Sequence, residues 1–274
     1  MPIIERRKKS FDNTNNWLLN FASSATSLCG EDGIILKVFE IIGVETEWCV
    51  EFGAWDGRQY SNTYNLITRY GWRGVMIEGD QARFRELKKT YGSFPRVHCA
   101  NRFVGFESPN TLDDILPAMN IPQRIDLLSI DIDGNDYHVW NAILAYRPRL
   151  VIIEFNPTIP NDVIYIQDRD MDVHQGSSLL ALIELARNKG YELVCAAGWN
   201  AFFVLSEYYP LFKIQDNSID KMFDDQAFAT KLFQLFDGTL EIAGQNRLMW
   251  AGVEFSSDDI QVLPRHKRVY SDNS

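Results

Sequence analysis

The chain has 274 residues, 46% of them hydrophobic and 13% aromatic, with 27 Lys and Arg against 37 Asp and Glu for a formal charge of −10. Such a length and composition suit one large buried core. The acidic balance excludes a protein that grips long polyanions by neutralising phosphates, so nucleic acid is set aside as a partner.

At the N-terminus the basic run Arg6–Lys9 leads into no apolar stretch, and nowhere do about 18 apolar residues run together as a membrane span requires. The expectation is a cytoplasmic protein with no membrane partner. Cys29, Cys49, Cys99 and Cys195 lie far apart with no C-x-x-C pair, which reads as reduced thiols rather than a metal site.

From residue 32 to about 205, short apolar runs alternate with amphipathic ones, the rhythm of βαβ units. In chain order the spacing predicts a helix over Asp32–Ile42, a strand over Trp48–Phe52, a helix over Ser61–Tyr70 and a strand over Gly74–Ile77. A helix over Gln81–Tyr91 and a strand over Arg96–Cys99 follow. Next come a helix over Thr111–Met119, a strand over Asp126–Ile130, a helix over Asp136–Tyr146 and a strand over Leu150–Phe155. The series closes with a helix over Ser177–Lys189, ended by Gly190, and strands over Tyr191–Cys195 and Ala201–Leu205. Continuous apolar strands of this kind are buried on both faces, so the fold class is α/β, doubly wound, with a mostly parallel sheet. Phe228, Leu232, Phe233, Leu235 and Phe236 suggest a further helix over Asp220–Phe236 that covers the sheet. Residues 1–210 are thus expected to form the main domain and 211–274 an extension packed on it.

The first strand ends in Glu51-Phe52-Gly53-Ala54-Trp55-Asp56-Gly57, and open α/β sheets bind ligands beyond the carboxyl ends of such strands. Gly53 lets the backbone approach a ligand, and Gly57 permits a positive φ. Glu78 ends the second strand, 21 positions after Gly57, where a carboxylate can accept both hydroxyls of an adenosine ribose. A pyrophosphate binder presents G-x-G-x-x-G. Here the middle glycine is missing, and Glu51 and Asp56 stand where a pyrophosphate would lie. At ~4 Å, two like charges cost about 4 kcal/mol at an effective dielectric constant near 20. A ligand bearing an ammonium and a sulfonium is attracted instead. Asp56 also suits a cap on the following helix.

Asp131 ends the fourth strand and Glu154 lies near the end of the fifth, so both carboxylates emerge at the same crevice as the cofactor. The run Asp131-Ile132-Asp133-Gly134-Asn135-Asp136 starts like a calcium loop, but its glycine and distal glutamate are misplaced. The long polar loop from Asn156 to Ser177 is expected to recognise substrate, with His174 as a candidate general base. His98 and His138 read as structural.

Several spaced motifs resemble the Rossmann-like class I methyltransferases, and within them the FkbM-like group: Cys29–Ile35 (CGEDGII), Val50–Gly57 (VEFGAWDG) with Ser61–Thr63, and Gly71–Asp80 (GWRGVMIEGD). Leu127–Trp140 (LLSIDIDGNDYHVW), Val151–Pro157 (VIIEFNP) and Gly198–Val204 (GWNAFFV) complete the set. The resemblance spans residues 28–206 and departs from the commoner DIEG motif at Asp131–Gly134. It implies strand order 3-2-1-4-5-7-6 with an antiparallel seventh strand, and S-adenosylmethionine bound over the first two strands. It further implies Glu51, Gly53 and Gly57 at the methionine end with Ser61 and Asn62 close by, Glu78 on the ribose, and Ala100 or Asn101 near the adenine.

The expected activity is O-methylation of a hydroxyl on a sugar or small natural product, with Asp131, Glu154 and His174 as catalytic candidates and a homodimer as a further possibility. Relatives of this fold that use magnesium suggest Asp131, Glu154 and Asn156 as a Mg²⁺ set, although a metal-free site is preferred. The alternatives are N-methylation, a non-catalytic cofactor binder, or a nucleotide-linked oxidoreductase or epimerase. The last requires a third loop glycine, which this chain lacks.

Overall fold

The computed structural model describes residue 4 and residues 11–270; the basic run Arg6–Lys9 and the last four residues lie outside them. Helix α1 (Glu31–Ile42) precedes β1 (Trp48–Phe52), after which α2 (Tyr64–Tyr70), β2 (Arg73–Glu78), α3 (Gln81–Tyr91) and β3 (Val97–Asn101) follow. Then come α4 (Leu112–Ile115), β4 (Leu127–Ile130), α5 (Asp136–Ala142), β5 (Leu150–Glu154), α6 (Leu179–Asn188), β6 (Tyr191–Ala197) and β7 (Asn200–Leu205). One seven-stranded sheet results, in the order β3-β2-β1-β4-β5-β7-β6, with β7 antiparallel to both neighbours and the other pairings parallel. This is the Rossmann-like methyltransferase topology that the motifs implied. Val50, Phe52, Val75, Ile77, Leu127, Ile130 and Val151–Ile153 are all 0% exposed, as expected for strands covered on both faces.

Local chemistry sets the element ends. Helix α2 begins at Tyr64 rather than Ser61 because Ser61 and Thr63 spend their hydroxyls on Glu51. The helix expected over Thr111–Met119 keeps its Thr111 capping box but tightens into a 3₁₀ turn from Leu116, with Pro117 in its first turn. Beneath the sheet, Arg149 and Asp126, 1% and 0% exposed, pair at 2.7 Å. Asp126 also accepts the backbone N–H groups of Glu45, Thr46 and Glu47, and Arg149 donates to the carbonyls of Ile42 and Gly43. The pair therefore fastens the α1–β1 turn to the starts of β4 and β5. All four cysteines are free thiols.

The chain divides into two compact units: residues Asp12–Pro157 with Asn161–Phe223, which hold the sheet, and Thr158–Pro160 with the chain from Asp224 onward and the N-terminal residues. In the stretch expected as one helix over Asp220–Phe236, the structure instead has the short α7 (Ile219–Met222), a 3₁₀ turn and the strand β8 (Thr230–Gln234). β8 pairs antiparallel with β9 (Leu240–Gly244). The reason is turn chemistry: Asp237 accepts the Thr239 N–H and Gly238 takes φ 85, so Asp-Gly closes a hairpin that the apolar spacing alone did not announce. A second short pairing joins β10 (Arg247–Leu248) to β11 (Val253–Glu254). No helix among the described residues is long and apolar enough to cross a membrane.

Candidate active site

A cavity of about 820 Å³ opens at the carboxyl ends of β1, β2, β4 and β5. Gly53 leaves β1 at φ 69, and a Cβ there would stand 1.7 Å from the Asp131 carbonyl oxygen, so no other residue lets β1 and β4 approach this closely. Gly57 solves a different problem. Its φ is 77, and a Cβ would meet Tyr91 and Leu87 of α3 at 2.5 and 2.6 Å. It seats the loop on α3 and is not a cavity wall.

Glu51 is buried and lines the cavity, yet it is already well bonded, accepting from the Ser61 and Thr63 hydroxyls at 2.6 Å each and from the Asn62 N–H at 2.9 Å. Burial raises its carboxyl above the ordinary value despite these donors. Ser61 shares the cavity wall, whereas Asn62 is turned to the sheet, its Nδ2 donating to Ser129 Oγ at 3.0 Å. Asp56 accepts the N–H groups of Arg58 and Gln59 at 2.8 and 2.7 Å and caps its own turn outside the wall. Its carboxylate therefore adds nothing to the cavity lining.

Glu78 marks one end of the cavity. Its Oε2 accepts the Trp55 N–H at 2.8 Å and its Oε1 the Asp80 N–H at 2.7 Å, so the carboxylate is held in place with lone pairs to spare. Asn101 braces this end from behind, its Nδ2 donating to the carbonyls of Glu78 and Gly79 at 2.8 and 3.1 Å. The wall past β3 is made instead by Arg102, Phe103 and Val104, with Phe103 68% exposed above Gly79.

Asp131, Asp133 and Glu154 meet at the other end, with one carboxylate oxygen of each within 4.8 Å of the others. Within the Asp131–Asp136 run the roles divide. Asp136 is the cap, accepting from the Ile132 and Gly134 N–H groups at 3.0 and 2.9 Å, which leaves Asp131 to the cavity. Burial, and then the negative charges of Asp136 and Asp133, hold the Asp131 carboxyl well above the carboxylate range. Burial followed by the charge of Asp131 pushes Glu154 up to about 10, and the two are hydrogen-bonded. The two carboxyls are coupled, the charge of each favouring the protonated form of the other.

His174 lies on the cavity wall, exposed, with Nδ1 3.1 Å from the Asp133 carbonyl oxygen. The loop that carries it is braced by Gln167, which accepts from Gln175 and Gly176 and donates to Val173. Asn156 donates to the Gln175 carbonyl and is not a cavity wall, so it stands apart from the acidic cluster. His98 stacks on Trp48, and His138 bonds the Gln167 carbonyl; neither lines the cavity.

Sequence reasoning overlooked Glu31, Asp133, Phe103 and Asn200 as cavity walls. Glu31 and Asn200 sit inside two of the spaced motifs, CGEDGII and GWNAFFV, which was the signal available for them.

Residues 107–193 match the methyltransferase FkbM domain. No curated protein matches the chain. Among solved structures it is similar to an O-methyltransferase from Bacillus cereus in complex with S-adenosylhomocysteine, at 17% identity over 70% of this chain and 89% of that one, TM-score 0.41. The N-terminal domain of EvdMO1 with S-adenosylhomocysteine bound gives 12% identity over 68% and 82%, TM-score 0.41. The citrinin polyketide synthase CMeT domain gives 15% over 58% of this chain and 46% of that one, TM-score 0.39, so the chain spans less than half of that domain's length.

Proposed function

We propose that this chain, with its seven-stranded doubly wound sheet and its FkbM domain match over residues 107–193, is a methyltransferase that transfers a methyl group from S-adenosylmethionine to a hydroxyl of a sugar or small natural product. The observation that carries this is one cavity with a carboxylate suited to a ribose, Glu78, at one end and the hydrogen-bonded Asp131–Glu154 pair at the other. The residues fit the cofactor. Gly53 provides a wall without a side chain, Glu51 puts negative charge beside the methionine end, and no Gly-rich phosphate cradle is present. When bound, S-adenosylmethionine supplies an activated methyl group on sulfonium sulfur.

What the chain adds is placement and proton removal. Asp131 would accept the proton of the acceptor hydroxyl, and Glu154 would keep Asp131 oriented by hydrogen bonding. His174 on the rim is the alternative base. The cluster also fits a divalent cation, with Asp131, Asp133 and Glu154 as oxygen ligands and a lowered pKa of the acceptor hydroxyl as its contribution. The metal-free reading is preferred because Asn156, the third ligand the sequence suggested, is engaged with Gln175. Incubation of the purified protein with methyl-labelled cofactor and a metabolite pool, followed by mass spectrometry, tests the reading: label is expected on a neutral or cationic small molecule. Label on nucleic acid or on no molecule would contradict it.

A further inference from the structure

Glu31 opens helix α1 and is 0% exposed to solvent, yet it forms part of the cavity wall. Its Oε2 accepts the Cys29 N–H at 2.6 Å and its Oε1 accepts Asn200 Nδ2 at 2.9 Å; no Lys or Arg pairs with it among the described residues. Asn200 is 7% exposed, lines the same cavity and is the cross-strand partner of Glu154, so strand pairing puts both side chains on one face. A carboxylate can only accept, and this fixes the amide with Nδ2 toward Glu31. Asn200 Oδ1 is then a buried acceptor with no donor among the described residues. Leaving such an atom unpaired costs about 1–3 kcal/mol.

The acceptor end of the cavity is thus walled by the acidic residues Glu31, Asp131, Asp133 and Glu154 together with Asn200. The one guanidinium on the wall, Arg102, follows β3 at the Glu78 end. Buried carboxylates are normally paired with a cation. We propose that the methyl acceptor carries an ammonium group, held by Asn200 Oδ1 and the Asp131–Glu154 pair with Glu31 fixing the Asn200 amide, and that the enzyme selects amine-bearing sugars or metabolites over neutral and anionic molecules of the same size. An ammonium brings three donors and a positive charge to acidic groups that no Lys or Arg pairs with among the described residues. A single metal ion at Asp131, Asp133 and Glu154, whose oxygens converge within 4.8 Å of one another, is the competing occupant, and the EDTA arm of the test separates the two. The inference rests on the cofactor reading of this cavity.

The test titrates protein saturated with S-adenosylhomocysteine, in EDTA, with three probes: glucosamine, glucose as its size-matched neutral counterpart, and the larger N-acetylglucosamine, whose nitrogen is neutral. Glucosamine is expected to bind at least about tenfold more tightly than either neutral sugar, the scale of one charge-assisted hydrogen bond. Glu31→Gln, which removes the charge and keeps Oε1 for Asn200, and Asn200→Leu are each expected to lower that preference severalfold, with retained S-adenosylhomocysteine binding as the folding control. Equal binding of glucosamine and glucose overturns the proposal, as does a preference that appears only when Mg²⁺ replaces EDTA. A protein that binds no S-adenosylhomocysteine at all overturns the cofactor reading and the proposal with it.

Discussion

Glu78 has its carboxylate fixed by two backbone N–H groups and needs no rearrangement to accept a ribose diol. Glu78→Ala is expected to weaken S-adenosylhomocysteine binding by roughly 1.5–3 kcal/mol, the scale of hydrogen bonds to a charged group, as read by calorimetry. Unchanged affinity would remove Glu78 from the ribose. At the other end the question is which group takes the proton. Asp131→Asn should lower turnover ~100-fold or more while EDTA changes nothing; a neutral Asp131→Asn with His174→Ala inactive would move the base to the rim. The same pair sets a pH dependence of stability. Glu154 holds its proton up to about 10 when folded, against 4.5 ordinarily, because burial and then the Asp131 charge disfavour ionisation. The unfolded chain releases that proton first, so between these values the folded state binds more protons and stability falls as pH rises. Denaturation midpoints of the ligand-free protein at pH 5, 7 and 9 should decline in that order, and Glu154→Gln should flatten the trend. A rise over this range in the parent alone would contradict the raised Glu154 carboxyl.

Elements whose signal is local chemistry plus burial on both faces were legible: β1 is Trp48–Phe52 as read from the sequence, and the other sheet strands shift by one or two residues at their ends. What was not legible depended on partners distant in the chain. Ser61 and Thr63 begin no helix because Glu51, ten and twelve residues earlier, takes their hydroxyls. Helix α5 stops at Ala142, and Leu144 and Ala145 donate their N–H groups to Asp113 instead of continuing it. The hairpin of β8 and β9 was hidden because Phe228, Leu232 and Phe236 fit a helical period, while Asp237-Gly238 spoke for a turn. Between elements the strongest buried tie is Arg149–Asp126. Asp126→Ala leaves a buried guanidinium uncompensated and frees three backbone N–H groups, and should cost about 3–5 kcal/mol in denaturant titration. A loss below about 1 kcal/mol, the range of a surface pair, would mean the turn is held by something else.

Across the whole molecule, the strand order was what the family resemblance implied, and the crevice at the sheet's carboxyl edge then fixed where to look. Position along the chain located Glu51, Gly53, Glu78, Asp131 and Glu154 at that edge. It could not say which carboxylate faces the cavity and which caps a turn, so Asp56 and Asp136 looked equivalent to their neighbours until their backbone donors were seen. Glu31 and Asn200, 169 residues apart and bonded at 2.9 Å, were invisible for the same reason. The central claim is that this cavity binds an adenosine sulfonium cofactor and not a dinucleotide. Thermal unfolding with each ligand tests it most directly: S-adenosylhomocysteine at a hundred times its dissociation constant should stabilise the protein by about 2.7 kcal/mol, and NAD should leave it unchanged. Stabilisation by NAD with none from S-adenosylhomocysteine would contradict the account.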